Sequence, residues 1–156
     1  MREGLKVCVG ASAGGHTNEL LALLAHAEGW TFRPTVCVTT MDILRSTYAA
    51  FGRTHVISEC NRTTPAAALK VVVQCLRIAW RERPDVLVTT GSMPLAILAC
   101  FVKLFGGKVV WIESIAQVSQ MSLSGRIVRL FADLCLVQRE PLAENDKRVE
   151  FAGALL

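Results

Sequence analysis

Aromatic residues, histidines and long apolar runs are all scarce in this 156-residue chain. Aromatics make up 6%, with a single tyrosine, and no aromatic-and-basic RNA-binding signature occurs, so nucleic acid is not an expected partner. Mean hydropathy is +0.41. Even so, no run reaches the roughly 18 uncharged apolar residues that would span a bilayer. The longest candidate, 93–105, contains Lys103. "MREGLKVCVG" enters a strand at once, so neither a signal peptide nor an anchor is expected. The cysteines (8, 37, 60, 75, 100 and 135) form no CxxC and no Cys/His cluster, which argues against a metal site. Reduced core thiols in a cytosolic protein fit them better. No cofactor is expected. No repeat or linker interrupts the chain, and its length suits one domain, 1–156, with a real core.

What is present is alternation. Strand-like runs lie near 5–10, 35–39, 54–58, 85–89, 108–112, 134–138 and 148–152. Helical runs lie near 17–28, 41–50, 65–81, 93–105, 123–132 and 140–145. This predicts an α/β fold with a doubly wound, mainly parallel, Rossmann-like sheet. "VCVG", "VLVTT" and "VVWI" are continuously apolar, as strands covered on both faces are. In the helix at 65–81, Leu69, Val72, Val73, Leu76 and Trp80 share one face, and Lys70, Gln74, Arg77 and Arg81 another. The helix at 93–105 is apolar all round, which predicts a core position or a greasy neighbour. Net charge +4 and a pI of 8.9 suit an anionic partner.

In such sheets ligands gather beyond the carboxyl ends of the strands, where strand order reverses. If the first and fourth strands are neighbours, "ASAGGH" (11–16) and "TTGSMP" (89–94) meet there, each before a helix whose first N–H groups are free for an anion. Ser12, Gly14, Gly15 and Thr17 from the first loop, and Thr90, Gly91 and Ser92 from the second, are the candidate substrate contacts. Ser92 is placed to cap its helix, with Pro94 in the first turn.

The first loop fits several patterns. Gly10-x-Ser12-x-Gly14 resembles a hydrolase nucleophile elbow, but no histidine follows in a suitable place. Read as a phosphate loop, it carries His16 where lysine belongs, and the strand "DVLVTT" ends in threonines instead of a magnesium-binding acid. The spacing of a dinucleotide fingerprint is missing, although a small nucleotide-binding oxidoreductase stays open as an alternative.

Four stretches in order, "GASAGGHTNELLALL", "TTGSMPLAILAC", "KVVWIES" and "SLSGRIVRLFADLCLVQ", resemble a known family over nearly the whole chain. It is the acceptor-side, membrane-recruiting subunit of the two-part UDP-N-acetylglucosamine transferase of dolichol-linked oligosaccharide assembly. Bacterial exopolysaccharide counterparts of the PssD type are more similar still. The Gly-Gly-His loop also looks like the one opening the lipid-II-forming transferase. The resemblance implies the N-terminal half of a GT-B glycosyltransferase, split over two polypeptides. This half would meet the membrane and a polyprenyl-diphosphate-linked sugar acceptor at the inner face of the cell membrane. A second subunit would carry most of the UDP-sugar site. The chain departs from the eukaryotic subunit in lacking its N-terminal membrane helix, so a peripheral membrane surface is expected instead. A non-catalytic recruitment module is the competing reading.

Inverting sugar transfer needs a base for the acceptor hydroxyl and donors for the departing diphosphate. His16 starts a helix at the switch point, and free imidazole titrates near about 6.5, which suits a base. Glu113 ends a strand at the same rim and is the second catalytic candidate, as base or as partner of His16. Glu19 favours the helix dipole and reads as structural. Arg126 lies on a basic, amphipathic stretch that can rest on an interface or grip a diphosphate.

Overall fold

The computed structural model describes residues 4–60, 65–144 and 146–155. β1 (Val7–Ala11) leads into α1 (Gly15–Ala25) and β2 (Pro34–Thr39). A 3-10 turn (Asp42–Leu44) and the short α2 (Arg45–Ala49) precede β3 (Arg53–Val56) and α3 (Pro65–Glu82). Then come β4 (Val86–Thr89), α4 (Met93–Leu104), β5 (Lys108–Ile112), α5 (Leu123–Val128) and β6 (Leu134–Val137). A 3-10 turn (Glu140–Leu142) and β7 (Glu150–Phe151) follow. Among the described residues every strand pairs in parallel, in the order β3-β2-β1-β4-β5-β6-β7. The expected Rossmann-like sheet is therefore present, with its reversal between β1 and β4.

The strands form where apolar, β-branched residues run without interruption, because both sheet faces are covered. Val7, Val9 and Ala11 meet Leu20 and Leu24 of α1 and Tyr48 of α2. On the other face, Cys8 joins Val71, Cys75 and Ile78 of α3, Leu95 and Leu98 of α4, and Val128 of α5. A β-carbon on Gly10 would lie 2.5 Å from Leu95 Cδ1, so glycine lets α4 sit close on the sheet. Burial holds the Cys37, Cys75 and Cys135 thiols up at about 12, leaving them uncharged and core-like at neutral pH.

Several expected elements shrink. The helix expected at 41–50 is broken into a 3-10 turn and five helical residues, of which Tyr48 alone is buried. Ser46, Thr47 and Tyr48 are indifferent helix formers, and one anchoring side chain cannot extend the helix. Of the stretch 140–145, whose last residue lies outside the described residues, 140–144 yield only the turn Glu140–Leu142, none of whose residues is fully buried. Residues 123–132 give a helix that ends at Val128.

On α3 the apolar face read from the sequence points outward. Val71, Cys75, Ile78 and Ala79 bury against the sheet, whereas Leu69 is 66% and Trp80 58% exposed, with Val73 and Leu76 exposed between them. At the inner end of α3, Glu82 is buried and accepts from His55 Nε2 (2.9 Å), Arg53 Nη1 (3.2 Å) and Lys6 Nζ (2.9 Å). Burial pushes its carboxyl up, but these donors outweigh it and hold the pKa at about 2.

Candidate functional site

β1 and β4 pair with Gly10 beside Thr89, and β4 and β5 with Thr89 beside Trp111. The three loops leaving these strands therefore start side by side. In the first, Ser12 and Thr17 are buried and brace the turn: Thr17 Oγ1 donates to the Ser12 carbonyl at 2.7 Å. Gly14 takes φ +80°, a conformation that favours glycine, and its carbonyl accepts from the Thr17 N–H at 3.1 Å. Space is open where β-carbons on Gly14 and Gly15 would sit. The N–H groups of the first α1 turn have no intrahelical acceptor.

His16 and the second loop hold each other. The His16 Nδ1 lies 2.7 Å from the Thr90 carbonyl, and Thr90 Oγ1 donates to the His16 carbonyl at 2.6 Å. A carbonyl only accepts, so Nδ1 carries a hydrogen, and in the neutral ring the lone pair then belongs to Nε2. Gly91, at φ +116°, lies under the imidazole: a β-carbon there would be 3.1 Å from His16 Cε1 and 3.4 Å from Trp111 Cζ2. Ser92 occupies the N-cap position of α4, but its hydroxyl makes no capping bond. The cap expected there is absent because the residue sits at φ +99°, with its oxygen buried and unpartnered.

Glu113 does not touch His16 directly. It is almost wholly buried, and its Oε2 accepts from Trp111 Nε1 at 3.2 Å. Gln138 Nε2 donates to its carbonyl at 3.1 Å. Gly125 of α5 closes over the carboxylate so tightly that a β-carbon would fall 1.8 Å from Oε2. The rings of His16 and Trp111 flank Gly91, which links the two candidates through an intermediate layer.

Glu19, one turn into α1, joins the first and third loops. Its Oε1 accepts from Ser114 Oγ and the Ile115 N–H, both at 2.9 Å, while Oε2 lies 3.8 Å from His16 Nδ1. The sequence places Glu19 at a helix start but gives no sign of this long-range bond. Nor does the sequence give a long-range sign of the parts played by Trp111, Gly125 and Gln138. A glycine inside a short helical pattern is the one local cue among them. Arg126 lies outside the His16 cluster, exposed on α5 and lining a cavity away from it. Among the described residues no group of His, Cys, Asp or Glu side chains has a metal-binding arrangement.

A parallel sheet of order 3-2-1-4-5-6-7, with a glycine-rich loop and a histidine at its reversal point, defines a Rossmann-like half of the kind found at the N-terminus of GT-B glycosyltransferases. The chain belongs to the family described as "oligosaccharide biosynthesis protein Alg14 like", whose profile matches residues 6–155. It is 27% identical over 175 residues to the UDP-N-acetylglucosamine transferase subunit ALG14 of Yarrowia lipolytica, covering 97% of this chain and 81% of that one. The fold is that of Acinetobacter baumannii MurG (TM-score 0.75, 14% identity), covering 96% of this chain and 46% of that one. It is also that of UDP-N-acetylglucosamine 2-epimerase from Rickettsia bellii (TM-score 0.69, 13% identity), covering 98% and 46%. The chain thus spans about half the length of those solved structures.

Proposed function

We propose that this chain is the acceptor-side subunit of a two-component glycosyltransferase that moves a sugar from a UDP-sugar to a polyprenyl-diphosphate-linked acceptor in polysaccharide synthesis. One observation carries the reading: at the switch point of the sheet, His16 Nδ1 is tied to the Thr90 carbonyl, so that in the neutral ring Nε2 is the basic nitrogen. In the reaction, Nε2 takes the proton of the acceptor hydroxyl as the oxygen attacks the anomeric carbon. The bond to UDP breaks and configuration at that carbon inverts. Gly14, Gly15 and the first α1 N–H groups offer an approach for substrate oxygens. Glu113, hydrogen-bonded to Trp111 and enclosed by Gly125, braces the end of β5 from inside the site. Family membership supports a partner-dependent subunit.

The same reading puts the chain on the cytoplasmic face of the cell membrane, held by its surface. Support comes from α3, where Leu69, Val73, Leu76 and Trp80 form an exposed stripe beside Lys70, Arg77, Arg81 and Arg83. Arg83 lies 4.6 Å from the Trp80 ring centroid. No described helix is long and apolar enough to cross a membrane. Exposed apolar side chains flanked by cations match an anionic bilayer surface. That stripe also favours the second reading, a recruitment module without chemistry of its own.

Reconstitution separates the two. The chain and its partner subunit together are expected to transfer sugar from a UDP-sugar to a lipid-linked acceptor, and the chain alone is not. With His16→Ala, lost turnover in an intact, membrane-bound complex supports catalysis here, whereas full turnover leaves recruitment as the function.

A further inference from the structure

A cavity of about 480 Å³ opens between α5 and the segment leading into β7, away from the His16 loops. Its walls carry Arg126, Arg129 and Arg148 against one acid, Asp146, with Ser119 and Gln120 at the side. Asp146 is already committed: it pairs with Arg129 Nη1 and accepts the Arg148 N–H at 3.0 Å. The side chains of Arg126 and Arg148 have no ion pair among the described residues. The Arg129 Nε is shielded from water and has no acceptor. Three guanidinium groups and a single carboxylate leave the cavity net positive, so the arrangement favours a bound anion. Guanidinium offers a planar fork that matches phosphate oxygens two at a time. The volume falls within the range of small-molecule sites and exceeds what one small ion fills.

The cavity also borders the site described above. Met121 lines it, and Met121 Cε lies 3.1 Å from the point where a Gly125 β-carbon would meet Glu113. α5 packs on the same sheet face as α3, which carries the exposed apolar stripe.

We propose that this cavity is a diphosphate site, with Arg126 and Arg148 bridging the phosphoryl oxygens and Arg129, held by Asp146, adding positive charge beside them. The assignment of that diphosphate to a substrate rests on the glycosyltransferase reading. Binding of the bare anion does not.

The test is calorimetric titration of the full chain with inorganic pyrophosphate, UDP and geranyl diphosphate, a water-soluble prenyl diphosphate. Pyrophosphate is expected to bind, and Arg126→Ala or Arg148→Ala each to weaken it by about tenfold or more. Arg148→Lys, which keeps charge but loses the fork, should fall between. Both arginines are exposed, so unchanged circular dichroism and melting will show that the variants fold. Displacement of pyrophosphate by geranyl diphosphate identifies a lipid diphosphate as the occupant, and displacement by UDP alone identifies the nucleotide. Absence of pyrophosphate binding, or binding unchanged in both alanine variants, overturns the site. An active reconstituted enzyme that does not bind pyrophosphate loses this site and keeps the transferase reading. An inactive pair that binds pyrophosphate through these arginines keeps the site and loses that reading.

Discussion

His16 and Thr90 bond to each other twice, side chain to backbone in each direction, at 2.7 and 2.6 Å. The bonds join the loops after β1 and β4 and fix the imidazole tautomer. Removing the ring therefore has separable effects on structure and rate. Asparagine can still donate to the Thr90 carbonyl from about where Nδ1 lies, but it has no basic nitrogen. His16→Asn should keep the melting temperature near wild type, and His16→Ala should lower it. Both should slow sugar transfer by the reconstituted pair by about 100-fold or more, as loss of a general base does. Transfer by His16→Asn at the wild-type rate would leave His16 as a brace only.

Gly14 and Gly15 answer differently to added bulk. A side chain at Gly14 is strained by φ +80°, so Gly14→Ala should destabilise the chain by about 1–2 kcal/mol. At Gly15 the backbone is ordinary and the space is open, so Gly15→Val should fold with a near-normal melting temperature. A strong loss of transfer by that variant, measured with the partner present, would mark the open space as occupied by substrate. A wild-type rate would make the loop a connection and nothing more.

Glu19 and Gly125 support the third loop from opposite sides. Glu19→Ala leaves Ser114 Oγ and the Ile115 N–H without their acceptor and should cost about 1–3 kcal/mol in urea unfolding. Glu19→Gln retains one carbonyl oxygen and should cost less. In Gly125→Ala the new carbon meets Glu113 Oε2, so either α5 or the carboxylate must shift. The expected result is reduced transfer together with lower stability. Unchanged values for both would show that α5 yields freely and that Glu113 is not held by it.

Acid should weaken the opposite edge of the sheet first. The Glu82 carboxyl is held at about 2 in the folded chain, against 4.5 for the ordinary group. A depressed folded pKa gives stability that is complete above about 4.5 and is lost as pH falls from there toward about 2. Asp133, held at about 2 by Lys103, Lys108 and the Val109 N–H against burial, adds to the same window. Glu82→Gln should be less stable than wild type near neutral pH, with the gap closing as the medium approaches about pH 3. Urea unfolding across this range checks it. A gap that stays constant with pH would show that the ion pairs contribute nothing to folding.

Alternation and apolar runs make the sheet legible, because strands covered on both sides leave a continuous signal; the β1–β4 reversal is only a condition in the sequence, and the strand order meets it. The small-residue loops and His16 were legible for the same reason: each follows a strand end. The bond from Glu19 to Ser114 and Ile115 was not, since it joins positions 95 and 96 residues apart by contacts no local pattern encodes. Gly125 is not legible because its role is to leave space for Glu113, and an absence of side chain carries no period. On α3, hydrophobicity alone could not say which face is inner. Small and medium residues, Val71, Cys75 and Ala79, fit against the sheet, while the bulkier Leu69 and Trp80 remain outside.

That outer face of α3 carries the last prediction. Leu76 and Trp80 are 40% and 58% exposed, so Leu76→Asp and Trp80→Asp should fold normally. If these side chains enter a bilayer surface, both variants should bind anionic vesicles more weakly at low and high salt alike. Charge reversal of Arg77 and Arg81 should act differently. It should remove the preference for anionic over neutral vesicles and flatten the salt dependence, because attraction between a charged surface and exposed cations is screened within about 10 Å at 0.1 M salt. Vesicle flotation of the full chain reads both effects. Binding unchanged in all of these variants would move membrane contact to the partner subunit, and the stripe would then need a protein to cover it. Loss of binding in the aspartate variants, with transfer to a soluble acceptor analogue intact, would separate membrane docking from chemistry within one chain.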